Sequence, residues 1–141
     1  DSRIGSYGAL ALILSVLLRW TALTAILSAG SVWGPLLAAG ALSRCALPWM
    51  LHALPPAREG GLSRLVGRPK AATVALAGAA ALLVALLGVG WAAIPAALAV
   101  LGVALVWTGV VRARLGGQTG DTRGAAQQLA EVAALVALSA V

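Results

Sequence analysis

Four carboxylates supply all the acidic chemistry in this 141-residue chain: Asp1, Glu59, Asp121 and Glu131. Asp121 lies in the string Gly116-Gly117-Gln118-Thr119-Gly120-Asp121-Thr122-Arg123-Gly124, a polar, glycine-dense stretch between two apolar runs. Glycine permits unusual φ angles and a close backbone approach to a ligand. The N–H groups of Gly116, Gly117, Gly120 and Gly124, with a helix starting at Ala125, would form a phosphate cradle. Thr119 and Thr122 add hydroxyls, and Arg112, Arg114 and Arg123 can neutralise phosphate charge. Asp121 suits Mg²⁺, which favours a carboxylate together with substrate phosphates. The same residues also read as a turn with a helix N-cap, with Asp121 or Thr122 as the cap. Mg²⁺-dependent phosphoryl chemistry generally uses several acidic ligands. With four scattered ones, either the chain is not an enzyme or part of its site lies elsewhere.

Composition says what must position these residues. The chain is 61% hydrophobic and 10% charged, with Ala, Leu, Val and Gly dominant and Phe absent. Soluble domains carry about 25% charged residues, so a soluble globular fold is excluded. Runs such as residues 77–87 do not alternate polar with apolar, which argues against a membrane β-barrel. Small residues instead suit packed transmembrane helices. The apolar runs span residues 7–28, 31–54, 71–90, 91–111 and 125–141, each near the ~20 residues that cross the hydrocarbon core. The reading is an all-α, polytopic transmembrane bundle of about five helices, forming one integral membrane domain over residues 1–141. Pro48 should kink or end the second helix.

Five crossings place residues 1–6, 55–70 and 112–124 on one face, with the turns at 29–30 and 88–90 on the other. The first face then collects Arg3, Arg58, Arg64, Arg68, Lys70, Arg112, Arg114 and Arg123, and the second collects no Lys or Arg. The positive-inside rule makes the first face cytoplasmic. The formal charge of +6 therefore reads as topology and phosphate binding, not as nucleic-acid binding. Within the spans, Arg19, Arg44 and Glu131 need partners, and Glu131 is expected to pair with Arg44 or Arg19. His52 reads as structural or interfacial, and Cys45 as a small apolar filler. The five tryptophans read as interface anchors.

Two segments resemble a known family. Asp1-Ser2-Arg3-Ile4-Gly5-Ser6-Tyr7-Gly8 resembles the K-D-S-x-I-G-[ST]-Y-G segment of cobalamin synthase (adenosylcobinamide-GDP ribazoletransferase). The stretch from Gly116 to Ala125, followed by Gln128 and Glu131, resembles that family's G-G-x-T-G-D-x-x-G-A-x-x-x-x-x-E segment. Ser43-Arg44 after an apolar helix is also similar. The resemblance covers essentially all 141 residues. Family members carry an acidic stretch of the D-G-L-A-D-T-A-D-G type before the K-D-S segment, and it is not among these residues. The resemblance thus implies the C-terminal part of a longer protein, expected to be inactive by itself.

What it further implies is a multi-pass enzyme of a prokaryotic cytoplasmic (inner) membrane. Such an enzyme joins adenosylcobinamide-GDP to α-ribazole or its 5′-phosphate, releases GMP and uses Mg²⁺. Expected catalytic residues are Asp121, Asp1 and Arg123, with Asp121 and Asp1 as metal ligands. Expected phosphate or substrate residues are Gly116, Gly117, Thr119, Gly120, Arg44 and Arg3. Expected partners are the two substrates, the lipid bilayer, and either a second copy of the chain or the missing N-terminal part. The competing readings are a membrane phosphotransferase acting on another alcohol, such as a lipid precursor, and a small transporter subunit.

Overall fold

The computed structural model describes residues 5–57 and 67–141. Among them are six α-helices and no strand: α1 (Ser6–Ser28), α2 (Trp33–Arg44), α3 (Ala46–Ala53), α4 (Ala71–Val89), α5 (Ala93–Leu115) and α6 (Gly120–Ser139), with a 3₁₀ turn at Gly90–Ala92. The count exceeds the expected five because the second apolar run is broken in two. The break falls at Cys45, one turn before Pro48. A proline removes the N–H that would bond the carbonyl four residues back, and its ring clashes there. That carbonyl belongs to Arg44, the last residue of α2.

Helix α1 and the run Ala71–Leu115 are long and apolar enough to cross a membrane. The second run doubles back. Gly90 adopts φ +59°, and Val74, Gly78 and Leu82 of α4 then face Ala104, Leu101 and Ala97 of α5 across a shared cleft.

Helix α2 packs most extensively on α4, α5 on α6, and α1 against α6. The contacts are built from small residues. Ala126, Ala130 and Ala134 of α6 are fully buried at four-residue spacing, as are Ala38 of α2 and Ala85 of α4. In a bilayer, where apolar packing competes with lipid, such residues let backbones come close. Tighter still is Gly34 against Gly88: a Cβ on Gly34 would lie 2.2 Å from the Gly88 carbonyl oxygen. Large apolar side chains cover the outside, among them Leu12, Val16, Leu83, Leu98 and Val106.

The helices run so that residues 53–57, 67–70 and 112–120 meet at one end of the bundle. Arg112 Nη2 donates to the Ala53 carbonyl at 2.9 Å, and Arg68 Nε to the His52 carbonyl at 2.7 Å. Gly34, Gly88 and the turn at Gly90 lie at the other. Arg68, Lys70, Arg112, Arg114 and Arg123 therefore share the first end.

Candidate functional site

The polar end is a clamp between two connections. The Gln118 N–H donates to the Pro55 carbonyl at 2.8 Å, and the Ala57 N–H to the Gln118 carbonyl at 3.0 Å. This short parallel bridge brings Gly117 against residues 55–57. A Cβ at Gly117 would lie 2.7 Å from the Pro55 oxygen and 2.9 Å from the Ala57 nitrogen. Glycine is required there by a backbone of this protein.

Each neighbour in the string has a local task. Gly116 adopts φ +69° and ends α5, its N–H donating to the Arg112 carbonyl, as C-terminal glycines do. Thr119 is the N-cap of α6. Its Oγ1 accepts from the Thr122 N–H at 3.2 Å, while Thr122 Oγ1 accepts from the Thr119 N–H at 2.8 Å. This reciprocal pair is a capping box with threonine in the usual Glu or Gln place. The cap is thus neither Asp121 nor Thr122, and α6 starts at Gly120, not at Ala125. Residues 120–124 are helical. Trp107 Nε1 donates to the Thr122 carbonyl at 2.9 Å and ties this first turn to α5.

The phosphate cradle drawn from the sequence is largely consumed by these bonds. The N–H groups of Gly116, Gln118 and Thr119 all have protein acceptors. Those of Gly120 and Asp121 open the helix without a partner among the described residues, at the end where the helix dipole favours negative charge. Asp121 is exposed in that first turn, and Arg123 is partly buried with Nε 3.4 Å from the Thr119 carbonyl. Asp121, Arg123, Gly116, Gly117, Thr119 and Gly120 are therefore brought together.

Arg44 is not brought to them. It ends α2, about nine residues from the polar end, near 13 Å along a helix axis. Its Nη1 donates to the Gly40 carbonyl at 2.7 Å, directed away from that end. Asp1 and Arg3 lie outside the described residues, as do Arg58, Glu59 and Arg64. No group of three His, Cys, Asp or Glu side chains able to hold a metal occurs among the described residues. Asp121 there offers a cation one carboxylate, and Mg²⁺ is usually held by one or two carboxylates together with water and phosphate oxygens.

Glu131 resolves its alternatives in favour of Arg19, at 3.5 Å. Arg19 also donates to Gln128 Oε1 at 2.6 Å and to Ser15 Oγ at 2.5 Å, and Gln127 Nε2 donates to Glu131 at 3.3 Å. The network lies midway along α1 and α6, well below the polar end. Two of the tryptophans differ from simple interface anchors. Trp107 and Trp49 are partly buried, and Trp49 Nε1 donates to Thr108 Oγ1 at 3.1 Å. Trp20, Trp33 and Trp91 are exposed.

Sequence reasoning passed over Gln118. It is 2% exposed, and its Oε1 is buried with no partner among the described residues. The available signal was a long amide placed directly after two glycines, where a linker would carry a smaller residue.

A family model described as cobalamin-5-phosphate synthase matches residues 1–139. Among curated proteins, the chain is 45% identical over 148 residues to a Rhizobium meliloti (strain 1021) protein named adenosylcobinamide-GDP ribazoletransferase, covering 99% of this chain and 56% of that protein. Proteins of the same name from Mesorhizobium japonicum and Bradyrhizobium diazoefficiens are 44% and 42% identical, each covering 99% of this chain and 54% of the relative. The chain thus spans about half the length of the curated relatives it matches. No solved structure matches it.

Proposed function

The chain belongs to the cobalamin-5-phosphate synthase family, and from that premise we propose that its protein joins adenosylcobinamide-GDP to α-ribazole or its 5′-phosphate with release of GMP. The reaction is Mg²⁺-dependent and takes place at the cytoplasmic face of a prokaryotic inner membrane. One observation carries this reading beyond the relatives' names. The string around Asp121 is clamped at the same end of the bundle as Arg68, Lys70, Arg112, Arg114 and Arg123. Phosphate chemistry beside an otherwise apolar body needs that arrangement. The exposed apolar side chains of α1, α4 and α5, with Trp20, Trp33 and Trp91, support a multi-pass position in lipid.

In the reaction, a ribazole hydroxyl oxygen attacks the phosphorus that bears cobinamide. The P–O bond to GMP breaks, GMP leaves with that oxygen, and the hydroxyl proton is lost. The protein's contribution is positioning and charge neutralisation. Arg123 and the opening N–H groups of α6 receive phosphate oxygens, and Arg112 and Arg114 lower the cost of gathering anions at this end. Asp121, with Asp1 beyond the described residues, would hold Mg²⁺, which when bound neutralises phosphate charge.

The test is GMP release from adenosylcobinamide-GDP by membranes carrying the protein, with and without ribazole phosphate and Mg²⁺. Release that needs both is expected. Asp121→Asn should lower it about a hundredfold, the scale on which one transition-state charge partner acts, with membrane insertion intact. Near-normal turnover in that variant removes Asp121 from the site. A phosphotransferase using another alcohol would instead release GMP poorly and show no competition by ribazole.

A further inference from the structure

Helices α4 and α5 follow each other through a tight turn, yet they do not close on each other. A cavity of about 230 Å³ separates them, walled by Val74, Gly78 and Leu82 of α4 and by Ala97, Leu101 and Ala104 of α5. A Cβ on Gly78 would meet nothing within 4 Å, and Leu101 on the rim is 51% exposed, so the cleft is open from outside. Trp49 of α3 lines it too. The same indole lines a second cavity of about 330 Å³, which rises past Leu105, Thr108 and Gly109 to Arg112. From Ala97 to Thr108 is roughly 16 Å along α5, close to half the ~30 Å hydrocarbon core of a bilayer.

The head of this channel is cationic, and its cations are pinned. Arg112 Nη2 donates to the Ala53 carbonyl at 2.9 Å. His52 Nδ1 donates to the Pro69 carbonyl at 2.9 Å, which holds Lys70 beside the same last turn of α3. Lys70 and Arg112 thus stand on either side of the end of α3, one on α4 and one on α5. Lys70 is also the N-cap residue of α4, and no side chain caps that helix among the described residues. Its opening N–H groups add positive potential there. Fixed positive charge above an apolar slot is complementary to an amphiphile with an anionic head. In a bilayer an unfilled slot also forfeits dispersion contacts along its lining, and an acyl chain restores them.

We propose that the cleft between α4 and α5 is a site for an anionic phospholipid, with the phosphate between Lys70 and Arg112 and one acyl chain running past Trp49 and over Gly78. Basic pockets between membrane helices on the cytoplasmic side take such headgroups. The proposal rests on the membrane reading of the chain and not on the reaction assigned to it. A lipid phosphate is one of the anions gathered at this end. Bound there, the lipid braces the end of α3, from which the clamped segment 55–57 leaves.

The protein, purified in mild detergent, is titrated with phosphatidylglycerol, phosphatidylcholine and soluble glycerol phosphate, and bound ligand is counted by native mass spectrometry. Phosphatidylglycerol should bind about tenfold more tightly than phosphatidylcholine, the scale of one or two basic residues at a headgroup. Glycerol phosphate should not compete. Lys70→Gln and Arg112→Gln should each weaken phosphatidylglycerol about fivefold and leave phosphatidylcholine unchanged. Gly78→Leu, whose side chain enters open space, should erase the preference while its Tm holds, because it fills the acyl slot. Equal affinity for the two lipids, or a preference that survives both cation variants, leaves annular lipid only and overturns the proposal. Competition by glycerol phosphate overturns it as well, since the site then takes a free phosphate. So does a preference untouched by Gly78→Leu, which leaves a headgroup held without its chain. Should Gly78→Leu fail to insert, Gly109→Leu, also directed into open space, decides in its place. Wild-type preference in a protein that releases no GMP refutes the reaction and leaves the lipid site standing. A protein washed from membranes by alkaline carbonate loses the membrane reading and the site together, whereas a retained protein without the preference loses the site alone.

Discussion

Glycine draws backbones together at both ends of this bundle, under Gly34 and Gly88 at one end and under Gly117 at the other. At the first, α2 and α4 meet among apolar neighbours, and no Lys or Arg lies on the adjoining turns. At the second, the same device docks a connecting segment against a loop, and buried Gln118 and capping Thr119 follow directly. Close approach is therefore common to both ends. What marks one of them as chemical is the polar side chains that the approach fixes in place. Glycine density in a sequence signals proximity of something, and the partner can be ligand or protein.

Several variants would break or sharpen this contrast. Gly34→Ala should have the largest effect on stability, since its Cβ would meet the Gly88 carbonyl oxygen at 2.2 Å with only backbone to yield. A loss of about 3 kcal/mol, at the top of the usual overpacking range, should appear as a collapsed Tm in micelles. Any folded fraction should keep wild-type affinity for ribazole phosphate, and a selective loss of affinity would erase the distinction between the ends. Gly117→Ala, with a contact of 2.7 Å to the Pro55 oxygen, should cost about 2 kcal/mol and also lower GMP release, because it shifts the string that carries Asp121. An unchanged Tm would show that the clamp is loose.

Between the ends, Glu131→Leu should cost about 1 kcal/mol, as polar pairs between membrane helices do, and Arg19→Leu added to it should restore part of the loss. Neither should alter the KM for ribazole phosphate, and a changed KM would tie the network to the site. Thr119→Ala should cost about 1 kcal/mol or less, the usual worth of an N-cap, read from the Tm.

The all-α body was legible because it depends on composition summed over many residues, in apolar runs of membrane length; of the eight basic residues assigned to one face, Arg68, Lys70, Arg112, Arg114 and Arg123 share one end of the bundle, and Arg3, Arg58 and Arg64 lie outside the described residues. Details set by single contacts were not legible. The start of α6 moved because Thr119 and Thr122 cap each other, a pairing less familiar than Ser or Thr with Glu. The second span broke before Pro48 because the clash falls on the carbonyl of Arg44. Grouping Arg44 with the phosphate residues failed on distance along a helix. The tasks of Gly117 and Gln118 could not be read at all, since they depend on residues 55–57, which only the folded bundle brings near.

The pairing of Arg19 with Glu131 bears on how the protein is made. Arg19 sits near the middle of α1, where a charged side chain costs about 2.5–3.5 kcal/mol to insert, while its partners on α6 are synthesised more than a hundred residues later. During synthesis α1 carries an unmatched guanidinium through the arrival of every intervening helix. In the proposed bilayer setting, the placement of α1 is completed only when α6 is made and brings Gln128 and Glu131 to Arg19.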